Sequence, residues 1–352
     1  MAFTTINKFT DYFNTKLYTG TGSGNKAVTG VGFQPDWIWT KNRVDAYGHN
    51  IYDAVRGVGK YLTTNGNNAE SAAATSLVSF DSDGFTVGTG DNVQYSSNNG
   101  VSWNWKAGTT GSGTTTGSGY GKAYSYSVNT TAGFSIITYK GNGSAGHTIP
   151  HHLGATPNFI IVKNRDSTQS WLVGITALGW TKNLHLNETG AVETSSAIWN
   201  DTAPTSTVFT VGTNTKCNTN DDDYIAYCFA EKNGYSKFGS YTGNGSTTGP
   251  FIYTGFKPSW VMIKNTSASN DWFMIDNSRD TLSPNNPVGR KSLEANDSAA
   301  EVTRTSKDMD FLSNGIKLRT ADGTQNNSGE NYIYMAFGQS IVGSNNIPAT
   351  AR

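Results

Sequence analysis

Gly32-Phe33-Gln34-Pro35-Asp36-Trp37-Ile38-Trp39-Thr40-Lys41-Asn42 returns later in the chain as Gly154-Ala155-Thr156-Pro157-Asn158-Phe159-Ile160-Ile161-Val162-Lys163-Asn164, and again as Gly255-Phe256-Lys257-Pro258-Ser259-Trp260-Val261-Met262-Ile263-Lys264-Asn265. Glycine, proline, lysine and asparagine keep their places in every copy. After the proline comes a run of β-branched and aromatic residues, apolar on both faces, as a central sheet strand covered on each side requires. A proline just ahead of such a strand removes no ladder hydrogen bond.

Other blocks keep step with this one. Upstream, Tyr18-Thr19-Gly20-Thr21-Gly22-Ser23 matches YKGNGS at 139–144 and YTGNGS at 241–246. Downstream, Lys60-x-Leu62-x-x-Asn65 matches Lys182-x-Leu184-x-x-Asn187 and Lys291-x-Leu293-x-x-Asn296, followed by Glu70, Glu193 and Glu301. Each copy closes on an aromatic-rich strand: VSWNWKA from Val101, YIAYCFA from Tyr224 and YIYMAFG from Tyr332. The leading glycines are 122 and 101 residues apart, and the first interval contains a Gly/Thr/Ser stretch of 22 residues, Gly108 to Asn129. Without that stretch the period is about 100 residues, the size of a domain and too long for a solenoid repeat or a propeller blade.

No window shows sustained helical periodicity, and short strands alternate with Gly and Asn turns. The expected fold is all-β: three tandem antiparallel β-sandwich repeats of jelly-roll or lectin-like type, standing in series. The expected divisions are a lead at 1–12, repeat 1 at 13–107, a connector at 108–133, repeat 2 at 134–232, repeat 3 at 233–340 and a tail at 341–352. Asp83-Gly84 and Asn314-Gly315 fall at the same place in repeats 1 and 3 and predict two-residue hairpins with positive φ at both central positions. Repeat 2 has Ser206-Thr207-Val208 there and needs a different turn.

Composition narrows the function. Twenty-six basic residues balance 26 acidic ones, so no basic excess points to nucleic acid. Charged residues are only 15% of the 352, and polarity comes from Ser, Thr, Asn and Gly. Aromatics at 12% exclude a disordered chain, because they supply large buried area. The first residues, MAFTTINKFTD, lack the basic and apolar regions of a secretory signal, and no apolar run approaches a membrane span, so no membrane insertion is expected. Cys217 and Cys228 are too few for a disulfide framework and read as free thiols.

Candidate chemistry is sparse. No nucleophile elbow, zinc-protease pair, P-loop or Cys/His zinc spacing is present. No catalytic residue, cofactor or metal site is therefore expected. His151-His152 has no repeated counterpart and reads as an exposed loop. Asp221-Asp222-Asp223 reads as a polar strand entry, because three adjacent strand residues cannot face one ion. Asp81-Ser82-Asp83-Gly84 lacks the later ligands of a calcium loop. The recurring lysines (Lys41, Lys163, Lys264; Lys60, Lys182, Lys291) and glutamates read as charges that fix neighbouring strands, against the sharper reading of a site present three times. Asp53-x-x-Arg56 recurs as Asp276-x-x-Arg279, with Gly174 and Ala177 assigned to the same place in repeat 2; a local ion pair is the simpler account. Strand aromatics align with aliphatics, Trp39 with Ile161 and Met262, and so belong to the core. Trp180 and Trp199 have no aligned partners and are the candidate ligand-binding surface residues.

Taken together, YTGTGS, GFQPDWIWTKNR, YDAVRGVGKYLTTN, SFDSDGFTVG, VSWNWKAG, YIYMAFGQS and the tail VGSNNIPATAR resemble a repeated domain of unknown function in virion structural and tail-fibre proteins of marine bacteriophages, cyanophages included. The resemblance covers nearly the whole chain. It implies a non-enzymatic virion protein on the particle exterior, tail-fibre or adhesin-like, made in the host cytoplasm. A capsid decoration protein is the alternative, and a glycan-cleaving tailspike a weaker one. Implied partners are other virion proteins, further copies of the chain, for which a trimer would supply avidity, and a host-surface glycan. The dedicated virion anchor and coiled shaft of many tail fibres have no counterpart in these blocks.

Overall fold

A computed structural model describes residues 3–90, 93–94, 99–280 and 290–343. In the first unit, β1 (Phe13–Thr19), β2 (Lys26–Thr29), β3 (Trp37–Asn42), β4 (Asn50–Asp53), β5 (Lys60–Thr63), β6 (Ser71–Ala72), β7 (Leu77–Asp81), β8 (Gly84–Val87) and β9 (Asn99–Trp105) form two antiparallel sheets, ordered β1-β9-β3-β4-β5-β6 and β2-β8-β7. The second unit begins with β10 (Thr109–Thr114), β11 (Thr116–Gly117) and β12 (Ala123–Asn129). It continues through β13 (Phe134–Lys140), β14 (His147–Pro150), β15 (Phe159–Asn164), β16 (Leu172–Ile175), β17 (Lys182–His185), β18 (Glu193–Thr194), β19 (Val208–Val211) and β20 (Asp223–Phe229), ordered β10-β12-β13-β20-β15-β16-β17-β18 and β11-β14-β19. The third unit holds β21 (Ser236–Thr242), β22 (Phe251–Tyr253), β23 (Lys257–Asn265), β24 (Phe273–Asp276), β25 (Lys291–Glu294), β26 (Val302–Thr303), β27 (Met309–Leu312), β28 (Gly315–Leu318) and β29 (Asn331–Gln339), ordered β21-β29-β23-β24-β25-β26 and β22-β28-β27. One six-strand order thus occurs in three stretches of the chain, each with a small sheet laid on one face.

The quoted block supplies the central strands β3, β15 and β23, every residue of the first two being buried. The proline precedes the strand in the first two units. In the third the strand starts at Lys257 and takes in Pro258, with a register shift between Pro258 and Trp260. One face of each main sheet packs on its own small sheet, giving three separate clusters, for example Ile38, Tyr52 and Phe85 in the first unit. The other faces pack on one another. Trp37, Phe159 and Trp260 are 2%, 1% and 0% exposed and sit in one shared core with their strand partners Trp105, Phe229 and Phe337. Trp37 lies 5.8 Å from Phe229, Trp105 5.6 Å from Phe337 and Phe229 6.0 Å from Phe337, centroid to centroid. Aromatic pairs at such distances contribute about 0.5–1.5 kcal/mol each beyond area burial. The units are therefore not beads in series, as the sequence suggested: they close on a common aromatic hub. The strands that read as covered on both faces are covered by a small sheet on one and by the other two units on the other.

The stretch expected to connect repeats 1 and 2 is folded. Its strands β10 and β12 extend the main sheet of the second unit beyond β13, and β11 pairs with β14. The hairpins of units 1 and 3 exist, but Gly84 pairs with Asp81 and Gly315 with Leu312, so the turn centres are Ser82-Asp83 and Ser313-Asn314. None of those four central residues has a positive φ. The glycines are needed for close approach: a Cβ on Gly84 would lie 1.9 Å from the Val28 carbonyl oxygen, and one on Gly315 2.3 Å from that of Ile252. The second unit has no such hairpin; β19 is preceded instead by a single helical turn, Ser196–Trp199. The lead is anchored, with Ile6 in the hub and the Phe9 amide donating to Gln339 Oε1. The tail from 344 onward lies outside the described residues.

Candidate functional site

The thrice-recurring residues have the same task in each unit. The side-chain Oδ1 of Asn42, Asn164 and Asn265 accepts from two backbone amides of the turn after the central strand, such as Val44 and Asp45. The hydroxyls of Tyr18, Tyr139 and Tyr241 donate to backbone carbonyls of Val93, Cys217 and Gln325. Lys41, Lys163 and Lys264 are fully buried, and their ammonium groups donate to carbonyls rather than to carboxylates. Lys41 reaches Ser298 of the third unit at 3.0 Å, and Lys264 reaches Thr189 of the second at 2.8 Å. Burial penalises the charged form and brings all three lysines down to about 8. Lys41 and Lys264 thus tie units together, while Lys163 holds the turn of its own unit, in place of the strand-pairing charges expected.

The units contact one another head to tail, and the backbone contact repeats. Glu70 N donates to Arg165 O, Glu301 N to Arg43 O, and Val192 N to Thr266 O. The side chains around that contact differ. Between units 1 and 2, Arg56 binds Asp53 at 2.5 Å and Glu70 at 3.0 Å, Arg165 binds Glu70 at 2.9 Å, and the Tyr227 hydroxyl donates to Asp53 at 2.8 Å. Between units 3 and 1, Arg279 binds Asp276 at 2.6 Å and Glu301 at 3.1 Å, Arg43 binds Glu301 at 2.8 Å, and Trp103 Nε1 donates to Asp276 at 2.9 Å. Asp53, Arg56, Asp276 and Arg279 have no side-chain exposure. Burial works against the Glu70 carboxylate, but the hydrogen bonds and charges of Arg165 and Arg56 outweigh it and hold it below the usual range.

Strand register identifies the residues at these places in the third interface. Trp37 pairs with Asp53, Trp260 with Asp276 and Phe159 with Ile175, so Ile175 and Leu178, not Gly174 and Ala177, stand where the other units have Asp and Arg. Lys60 pairs with Ala72, Lys291 with Thr303 and Lys182 with Thr194, which makes Val192 the counterpart of Glu70 and Glu301. Glu193, expected there, is one residue on and exposed. Thr266 replaces the bridging arginine and Met335 the donor. The whole network is apolar or neutral between units 2 and 3.

Where the network is missing, a cleft of about 720 Å³ opens. Ala177, Leu178, Lys182, Ala191 and Val192 line it from the second unit, and from the third come Ser240 to Thr242, Thr266, Ser267, Asn331 and Tyr332. A smaller hollow of about 160 Å³ lies within the second unit, bounded by Tyr124, Lys140, Arg165 and Asp223. There Lys140 and Asp223 form an ion pair at 2.8 Å. Thr242 and Asn331 occupy the same paired positions in the third unit and hydrogen-bond at 3.0 Å instead. The volume lies within the range of ligand pockets, and the lining combines apolar walls with a few hydroxyl and amide groups. Sequence reading missed this cleft. Its signal was present in the residues that broke the repeat, which are informative only once the register is known.

The other candidates are placed elsewhere. Trp180 and Trp199, expected to offer surface rings to a ligand, are 7% and 0% exposed and meet edge to face at 5.4 Å inside the second unit. They fill the space above Gly174, where a Cβ would come 2.5 Å from one indole and 2.8 Å from the other. His151 is buried rather than in an exposed loop; burial lowers it to about 4, and its Nε2 lies 3.2 Å from Thr205 O. His152 stacks on Tyr126 at 3.7 Å. Asp221, Asp222 and Asp223 point to different partners, Lys122, Asn164 and Lys140. Among the described residues no group of three or more His, Cys, Asp or Glu side chains could hold a metal ion. Cys217 and Cys228 are buried and unbridged.

A family model described as Domain of unknown function (DUF7483) matches residues 8–340, all three units in one span. No curated protein matches the chain.

Proposed function

The chain belongs to the family described as Domain of unknown function (DUF7483), and from its architecture we propose a non-enzymatic bacteriophage virion protein, displayed on the particle exterior and binding host-surface material through the cleft between units 2 and 3. The observation that carries this reading is the division of labour among residues. The repeated Lys, Asn and Tyr bridge strands or units, and the only interface released from its ion network forms the cleft. A neutral surface rich in Thr, Asn and Gly also supports it, because its hydration depends little on ionic strength. The resemblance of the repeated blocks to phage virion proteins supplies the setting.

Electron microscopy of virions labelled with an antibody to this chain tests the reading. Gold at the tail tip at a dozen or so copies per particle supports an adhesin. Label over the whole head points to the decoration role, and no label on virions refutes both.

A further inference from the structure

In each of the two closed interfaces one ion pair crosses the seam, Arg165 to Glu70 and Arg43 to Glu301. In the open one a single charge is left. Lys182 is the only charged side chain that lines the cleft. Its counterpart Lys291 lies 3.8 Å from Glu301, but the residue beside Lys182 at that place is Val192. Among the described residues no carboxylate lies within salt-bridge distance of Lys182. The rest of the rim is uncharged and hydrogen-bonding: Ser240, Thr242, Ser267 and Asn331 are exposed hydroxyls and an amide. Tyr241, half-buried, borders the same cleft and stacks on Tyr332 at 5.0 Å.

Resting on the reading of this cleft as the ligand site, we infer that it takes an acidic sugar unit, with the carboxylate on Lys182 where the other units keep a glutamate and the ring hydroxyls on the Ser/Thr/Asn rim. The chemistry follows from what the site lacks. A neutral sugar satisfies the hydroxyls and leaves the ammonium to water. A polyanion needs several cations, and the cleft has one. A compact ligand with one carboxylate and several hydroxyls satisfies both features.

The test is calorimetric titration of the full chain, at low ionic strength, with a trisaccharide bearing one glucuronate and with its carboxyl-reduced counterpart. Saturable one-site binding of the acidic sugar is expected, roughly tenfold tighter than the reduced one, as one charge-assisted hydrogen bond provides. Lys182→Gln should remove that margin and leave the reduced sugar unchanged. Val192→Glu, which recreates the carboxylate of the closed interfaces beside Lys182, should do the same with no loss of thermal stability. Equal affinity for the two sugars, indifference to Lys182→Gln, or no saturable binding overturns the inference. Virion labelling decides the exterior role separately, so failure of the titration with virions still labelled removes the ligand class and leaves the place of the protein standing.

Discussion

The buried network between units 1 and 2 can be tested against the alternative that the chain already contains. Asp53 and Arg56 are without solvent exposure. Replacing Arg56 by Leu leaves the Asp53 carboxylate with the Tyr227 hydroxyl and one backbone amide as donors. Removing one partner of a buried pair costs about 3–5 kcal/mol, because an uncompensated charge stays behind. Asp53→Ile leaves the guanidinium to Glu70 and the Ile51 carbonyl and costs about 1–3 kcal/mol, so additive behaviour would put the double variant near ~4–8 kcal/mol. The second unit holds Ile175 and Leu178 at these positions and is fully folded around them. Replacement of a buried ion pair by well-packed apolar residues is close to neutral in other folds. Asp53→Ile/Arg56→Leu should therefore recover most of the loss, with a coupling energy of at least ~3 kcal/mol in a double-mutant cycle. Adding Glu70→Val, Arg165→Thr and Tyr227→Met, the remaining identities of the open interface, should recover more. Urea unfolding followed by tryptophan fluorescence measures all four corners. A double variant whose cost equals the sum of the singles within about 0.5 kcal/mol refutes the reasoning.

Other consequences can be measured on the same protein. Lys41, Lys163 and Lys264 bind protons less tightly folded than unfolded, so the unfolded chain holds more protons between about pH 8 and 10.5 and stability should rise with pH across that window. Buried tyrosines such as Tyr224, raised to about 12, act oppositely: their contribution is intact below pH 10 and is lost above it. Thermal midpoints from pH 7 to 11 should thus pass through a maximum between 9 and 10; a steady decline from pH 8 sinks the account. Gly174→Ala should destabilise the second unit by about 1–3 kcal/mol through overpacking against Trp180 and Trp199, and an unchanged unfolding curve would show that the indoles move aside freely. Burial raises the Cys217 thiol to about 12, and Cys228 is raised as well. Neither should react with a thiol reagent in native buffer, and both should react in urea; rapid native labelling contradicts the packing.

The sheet class and the central and closing strands of each unit were legible because the repeat aligned three independent copies of one pattern. Each copy of the central strand was apolar on both faces, which already required a second covering layer. The identity of that layer was not legible, since a hub such as Trp37 against Phe229 is a contact between distant segments that share no local signal. Register was the second limit. A period of two means that a slip of one residue moves a side chain to the opposite face. Glu193 is the acid that follows the repeated Lys-x-Leu-x-x-Asn block, yet it points outward and Val192 faces the seam. Gly174 for Ile175 is the same slip. The absence of aligned partners for Trp180 and Trp199 suggests exposure, but both are buried. It reflects local repacking, in which a glycine in the strand makes room for two indoles.

The uneven wear of the three interfaces has a physical rationale in their closure. Three bodies arranged head to tail are fixed by any two of their contacts, and the third is then formed within one molecule, at high effective concentration. That contact still keeps its backbone frame: Val192 N to Thr266 O, Trp272 Nε1 to His185 O at 2.8 Å, and Lys264 to Thr189 O. Loss of its side-chain network therefore removes little that the ring needs, whereas the same loss at an open chain end would release a whole unit. The ion networks also supply orientation, because a bidentate arginine fixes both distance and angle; two such clamps define the geometry and a third would only repeat it. The redundant seam is thus the place where a triplicated fold can give up symmetry at least cost. In this chain that place has become the cleft, lined by residues that depart from the repeat and framed by residues that keep it.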